Sequence, residues 1–526
     1  MTPVEQPRPP ASAISVSSSP VRTGALPLSA RALHISLLAV YTALYLLITI
    51  PIASKRLLWN DELFTLTISR QSFHEMWRLL NTGADQLPPA FCAISHAAFA
   101  LWGPHELSAR APEIFGFWLL GVCLFELTAS RTSPLHGAIA AFLPCLTAGF
   151  LYSYEARPYG LVLGFAALAL LLWQKAGAEN PSPWALAGFA LALMAATSVH
   201  YYAIFVALPF GAAEALRLYR ERWFRAPVWV AIAASVIPAV LAAPLIRTAS
   251  RVAHHFWSRA QLVSISDAYG DLLAKPFLTG VMLAALTGFF VLAFRFGEGE
   301  AAPRRPWRPP VHEVIPVAAF ALMPLIIVPI ARVTTGAFAS RYAVTAIIGV
   351  CVLIAWLCYV LTANHRWATC LILGAVMACV GFAGLRTYRS AALAHAETFS
   401  VISYLESQPG ALPIVISDPH LFFQLSHYAA PPLANRLVYL ADIPLAVQHT
   451  GTDTLDLGML VLGPVSGARV AAFAAFVKST PRFLVYGYPA GRWGWAVPEL
   501  LARHIKTDTV GIFDDLLLFS AQSGGA

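Results

Sequence analysis

The chain has 526 residues, of which 58% are hydrophobic and only 12% charged. A soluble globular domain carries about 25% charged residues, so this composition excludes an ordinary soluble fold and points to the membrane. The formal net charge of +8 does not imply nucleic acid, because basic loops flanking apolar spans are explained by membrane orientation.

Residues 1–30 are rich in Pro, Ser and Ala and lack periodicity, which reads as a disordered cytoplasmic N-terminus. The apolar run 33–53 is too long for a signal-peptide core and is followed by more spans, so it predicts an uncleaved signal-anchor helix. Further apolar runs predict spans near 111–130, 135–151, 158–174, 184–199, 201–216, 227–246, 276–295, 313–331, 342–362 and 366–386. That makes about eleven transmembrane helices, each crossing a bilayer core of about 30 Å. The segment 87–102 is short and broken by Pro88, Pro89 and Gly103, which suits a helix lying on the membrane or re-entering it. Six of the seven cysteines lie in apolar spans and Cys92 just outside one; without a CxxC they read as buried small residues rather than a disulfide framework.

With the N-terminus inside, the cytoplasmic connections hold Arg131, Lys175, Arg217, Arg220, Arg222, Arg225, Arg304, Arg305, Arg308 and Arg366, as the positive-inside rule requires. The outer loops still keep Lys55, Arg56, Arg110, Arg157, Arg251, Arg259 and Arg341, cations that anionic ligands would explain. An odd number of spans leaves the tail outside. There, 412–417, 436–440 and 482–486 read as short buried strands, 419–429, 468–478 and 496–504 as helices, and 510–520 as a last strand. The fold class is therefore an α-helical polytopic membrane protein (31–387) with a small C-terminal extracytoplasmic α/β domain (388–526). No Gly-rich phosphate loop follows a strand. High Ala and Arg with few Lys hints at a GC-rich bacterial genome, hence a bacterial inner (cytoplasmic) membrane.

Ionisable residues beside these spans are the candidates for chemistry. Asp61 and Glu62 form an acidic pair just after the first span, where burial raises a carboxylate toward use as a general base; the bland alternative is that Asp61 caps a surface helix. Glu155 and Arg157 lie between two apolar spans, as a functional pair or a mutual ion pair. His200 with Tyr201, and Arg341 with Tyr342, sit where outer loops meet the membrane, as ligand-holding groups or as structural hydrogen-bonders and snorkelling anchors. All fall on one outer face. A carboxylate to deprotonate an acceptor and cations to hold a leaving phosphate are what displacement of a lipid phosphate from a sugar needs. Nucleotide sugars are cytoplasmic and too charged to cross lipid, so a transferase acting outside takes its sugar from a membrane carrier; the absence of a DxD agrees.

The stretches Trp59-Asn60-Asp61-Glu62, Asp85-Gln86-Leu87-Pro88-Pro89, 101–112, Glu155-Ala156-Arg157-Pro158-Tyr159, His200-Tyr201-Tyr202 and Arg341-Tyr342 together resemble the GT-C superfamily of polytopic glycosyltransferases. The likeness is to the branch of lipopolysaccharide-core sugar transferases, aminoarabinose transferases and protein O-mannosyltransferases. It implies an inverting enzyme with a polyprenyl-phosphate sugar donor and a glycolipid, polysaccharide or protein acceptor. It implies Asp61 as base beside Glu62 and Glu155, with Arg157, His200, Tyr201, Arg341 and Tyr342 around the lipid phosphate. Asp85, Pro88, Pro89 and Arg110 would serve the acceptor or the scaffold. A divalent metal is left open, with Asp61, Glu62 and Asp85 as its hosts. The loop 248–275, with Arg251, His254, His255, Trp257 and Arg259, is a further candidate for gripping acceptor or lipid phosphate. A flippase of lipid-linked sugar and a non-catalytic envelope scaffold are the competing readings; the paired broken helices and internal repeats of transporters are not evident in the sequence.

Overall fold

The structure is a computed structural model and describes residues 28–177, 182–252, 255–273, 281, 309–362, 365–488 and 493–523. The expected N-terminal lead and nearly all of the expected span 276–295 lie outside these residues.

The chain enters through helix α1 (Leu28–Lys55) and then lays down three short helices, α2 (Asn60–Ser69), α3 (Phe73–Leu80) and α4 (Pro89–Trp102). Pro88 and Pro89 open α4: Pro88 is extended, and Pro89, which has no N–H to give, occupies the first helical position. At 14 residues α4 is shorter than a full crossing, and it packs beside α2 and α5. The long α5 (Glu106–Ala129) returns through the bundle, followed by α6 (Pro134–Phe142), α7 (Tyr159–Ala176), α8 (Pro183–Val199) and α9 (Ala207–Glu221).

Among the described residues, five helices are long and apolar enough to cross a bilayer, or seven if each of two bent pairs is one span. The bent pairs are Ala226–Leu241 with Ala243–Val252, at 64°, and Val311–Ala321 with Met323–Val333, at 55°. The breaks fall at Ala242 and Leu322, each two residues before a proline, Pro244 and Pro324, whose missing N–H and ring clash with the carbonyl four residues back interrupt the helical ladder. Of the remaining expected spans, Pro134–Leu146, Pro183–Val199 and Ala346–Thr362 are apolar helices shorter than a full crossing. Against the expected eleven, the described residues hold five to seven helices able to cross a bilayer and three shorter apolar ones, and the expected span 276–295 falls almost wholly outside them.

Helices α5 and α7 approach closely through small residues. A Cβ on Gly116 would lie 2.5 Å from the Gly160 carbonyl carbon, and one on Gly164 would lie 2.3 Å from the Gly116 oxygen. Gly160 and Gly164 are spaced as in a small-xxx-small seam, which lets backbones touch where apolar burial gives no net drive.

The last membrane helix, Arg366–Glu406, runs for 41 residues, and the expected domain boundary near 387 falls within it. The C-terminal region carries a six-stranded sheet: β1 (Ile414–Ile416), β2 (Leu437–Ala441), β3 (Val470–Ala472), β4 (Arg482–Gly487), β5 (Lys506–Phe513) and β6 (Leu516–Gln522). The order is β3-β2-β1-β4-β6-β5, with the first four parallel and the last two antiparallel. The expected helix 468–478 is instead strand β3 followed by Phe473–Ser479, and the expected last strand is the β5–β6 hairpin turning at Asp514 and Asp515, both at positive φ. Two further helices, Ile443–Thr450 and Thr454–Ser466, were not foreseen.

One hydrophobic cluster joins the two regions. Leu58, Leu63 and Phe64 from the first loop pack in the same core as Leu405, Phe422, Phe423, Tyr439 and Leu462. Tyr428 receives the Leu58 N–H at 2.8 Å and donates to Glu106 at 2.8 Å, while the Gln424 side-chain amide donates to the Leu58 carbonyl at 3.1 Å. The sheet domain is therefore seated on the loop that carries Asp61.

Replacing Gly164 by Val should force α5 and α7 apart and cost about 1–3 kcal/mol of overpacking, lowering the midpoint of thermal unfolding in detergent. An unshifted midpoint would show that the close approach is not needed.

Candidate active site

Arg110 is fully buried near the start of α5, and its guanidinium is fully engaged. Nε and Nη2 each donate to Glu62 at 2.7 Å, Nη1 donates to the carbonyls of Ala53 and Arg56 at 2.5 and 2.6 Å, and Nη2 also reaches the Leu57 carbonyl at 3.1 Å. This clamp satisfies the carbonyls at the exit of α1, which have no partner within the helix. Glu62, equally buried, also accepts the N–H of Ala156 at 2.8 Å and of Trp59 at 3.3 Å. Burial alone would raise the Glu62 carboxyl, but Arg110 against it more than offsets this and holds it below the usual range.

The clamp fixes the two residues next to its ends. Asp61 precedes Glu62 and points into an open cleft of about 230 Å³; Arg157 follows Ala156 and lines the same cleft. Arg157 donates to Asp85 at 2.9 and 3.2 Å, and to the Asp61 carbonyl at 3.3 Å. Arg341 lies across from Asp61, Nη2 to Oδ2 at 3.5 Å, with its guanidinium over the rings of Tyr159 and Trp257 at 5.9 and 5.6 Å. The Nε atoms of Arg157 and Arg341 are buried without a hydrogen-bond partner among the described residues. His200 caps α8 with its ring 5.2 Å from Tyr159 and 5.4 Å from Tyr342. Burial, then the neighbouring Arg157 and Arg341, push its imidazole down to about 3, so it is neutral at working pH.

Asp61, Asp85, Arg157, His200, Arg341 and Tyr342 therefore meet in one cleft. The other candidates stand apart. Glu62 and Arg110 are structural partners that do not line it. Glu155 is 2% exposed beneath the first-loop backbone, with Arg56 at 3.4 Å, and burial holds its carboxyl above the usual range. Tyr201 faces a neighbouring small cavity with Gln86 and His200, its buried hydroxyl unpartnered among the described residues. Pro88 and Pro89 act through the start of α4. From the 248–275 loop Trp257 reaches the cleft and Arg259 an adjoining one, while His254 is outside the described residues. Asp61, Glu62 and Asp85 do not converge as metal hosts: Arg110 takes up Glu62 and Arg157 takes up Asp85, and no group of three His, Cys, Asp or Glu is poised for a metal among the described residues.

One wall of the cleft had no counterpart in the sequence reading. His420, Thr454, Leu455 and Trp493 close it from the sheet domain. A second ionic group, Arg131 and Gln174 on Glu313, lies beyond the opposite end of α5 and takes no part in the cleft.

A helical membrane bundle with a loop-borne carboxylate–arginine cleft under a small sheet domain defines a polytopic protein of GT-C fold, as the sequence likeness implied. Among solved structures, ArnT from Cupriavidus metallidurans bound to undecaprenyl phosphate is similar at 15% identity and a TM-score of 0.51, covering 93% of this chain and 98% of that one. The apo state of the same protein gives 14% identity and a TM-score of 0.52, covering 94% and 98%. No protein-family model matches the sequence, and a search of curated proteins finds no significant match.

Arg110→Met should leave Glu62 buried without its counter-charge and cost about 3–5 kcal/mol, read as loss of folded protein in thermal unfolding; a near-neutral change would deny the clamp its role. His200 should leave a mark on acid stability. Its folded pKa lies below the unfolded value of 6.5, so its contribution is present above that pH and is lost as pH falls toward 3. Wild type should lose more melting temperature between pH 7 and 4 than His200→Asn does; equal losses would refute the buried neutral imidazole.

Proposed function

We propose that this protein is an inverting membrane glycosyltransferase that moves a sugar from a polyprenyl-phosphate donor to an acceptor hydroxyl at the Asp61 cleft. The observation that carries the reading is the opposition of Asp61 to Arg341 and Arg157, two guanidiniums with unused N–H groups, at one end of a GT-C bundle. That ArnT was solved with undecaprenyl phosphate bound supports a lipid phosphate as the anion.

In this scheme the acceptor oxygen forms a bond to C1 of the sugar as the C1–O bond to the phosphate breaks. The electron pair leaves on the phosphate oxygen, where Arg341 and Arg157 stabilise it, and the acceptor proton passes to the Asp61 carboxylate. Attack from the face opposite the leaving group inverts the anomeric centre. Arg341 is the more available cation, since its contact with Asp61 is 3.5 Å while Arg157 is held bidentately by Asp85. Neutral His200 offers a hydrogen bond to the phosphate without adding charge. The basic residues of the alternate loops support a cytoplasmic N-terminus, with the cleft and sheet domain on the outer face of a bacterial cytoplasmic membrane.

Asp61→Asn should lower release of free polyprenyl phosphate by about 10²–10⁴-fold, measured with purified protein in lipid vesicles given polyprenyl-phosphate sugars and an envelope extract. Release should require wild-type protein while the variant keeps its melting temperature. Equal release by both would remove Asp61 as base, and no release by wild type with any donor would move the reading to a flippase or scaffold.

A further inference from the structure

We infer that the acceptor is a carbohydrate chain, gripped on an aromatic platform built jointly by the membrane loop and the sheet domain; this rests on the transferase reading above. The platform begins beside the base. Trp59, two residues before Asp61, lies stacked 6.4 Å from His420, which meets Trp493 edge-on at 5.6 Å, and Trp493 in turn meets Trp257 edge-on at 6.3 Å. Trp59 and Trp257 come from the membrane region and His420 and Trp493 from the sheet domain, so the four rings form a surface only when that domain is seated.

Their position is specific. Trp257 and Trp493 line both the Asp61 cleft and a second, adjoining cavity of about 270 Å³. That second cavity is polar, lined also by Arg259, Gln261 and the turn Thr450–Thr452. An aromatic face flanked by amide, hydroxyl and guanidinium groups matches a pyranose. Its C–H face is drawn to the negative face of a ring, and its hydroxyls need donors and acceptors at the edge. An extended peptide would instead look for a strand edge or a row of side-chain pockets. A phosphorylated lipid headgroup would want several cations in this second cavity, and among the described residues lining it Arg259 is the one that carries a positive charge. One sugar residue at the Trp257–Trp493 pair would place the next within reach of Asp61, giving an acceptor of at least two units.

The test uses the full-length protein in lipid vesicles and saturation-transfer NMR. The probes are oligosaccharides released from bacterial envelope by mild acid, a tryptic peptide mixture from the same envelope, and phosphorylated lipid A in vesicles. Sugar-ring protons of the oligosaccharides should receive saturation, and Trp493→Ala should weaken their binding by about tenfold, a stacking-sized loss. Trp493→Phe should restore most of it, and Thr452→Val provides an independent loss should Trp493→Ala fail to fold. Oligosaccharide binding unaffected by Trp493→Ala and Thr452→Val, or binding only of peptide or lipid A, would overturn the inference. Polyprenyl-phosphate release that depends on Asp61, together with absent sugar binding, would sink this inference alone. Absent release by wild type would sink the transferase reading with it.

Discussion

Everything at the Asp61 end of the molecule depends on one buried ion pair, Arg110 with Glu62. Two charges removed from water cost several kcal/mol each, and attraction repays this only when the remaining donors and acceptors are satisfied. Here they are: the guanidinium bonds with Glu62 and three carbonyls at the exit of α1, and the carboxylate with Arg110 and two backbone N–H groups. The pair thus ties the end of one helix, the start of another and the 155–157 loop to a single point. Reactive groups placed one residue from such a point inherit its rigidity, and positioning within a fraction of an ångström is what group transfer requires.

The cleft built on this anchor is electrically balanced. Asp61 and Asp85 face Arg157 and Arg341, so under the proposed transfer an arriving phosphate would compete with a carboxylate for a guanidinium. The two pairs differ in grip. Arg157 and Asp85 are both nearly buried and joined by two hydrogen bonds, whereas Arg341 and Asp61 are each 19% exposed and at 3.5 Å. In the transfer proposed above, the looser pair would separate at low cost, freeing a cation for the phosphate and a carboxylate for the acceptor in the same movement.

The cleft's membrane-side residues were legible because ionisable groups in apolar surroundings are conspicuous in any sequence. Asp61, Arg157, His200 and Arg341 announce themselves in that way, whereas Asp85 was singled out through the family likeness alone. What the chain order hides is the phase of a helix. Asp61 and Glu62 look alike side by side, yet successive helical residues point about 100° apart, which sends one into the cleft and the other into the protein. The wall formed by His420, Thr454, Leu455 and Trp493 was hidden for a different reason, since nothing local to those residues signals a contact more than 350 positions away. Hydropathy likewise located the apolar segments but could not tell a straight helix from one broken before Pro244 or Pro324.

The 41-residue helix Arg366–Glu406 has a mechanical consequence. At about 1.5 Å per residue it is roughly 60 Å long, twice the thickness of a bilayer core. Its far end, through Val401, Ile402 and Leu405, is embedded in the same core as the sheet. The sheet domain therefore stands on a mast stepped in the membrane. A thinner or thicker bilayer changes the tilt of such a mast, and a few degrees at its foot become several ångströms at its head.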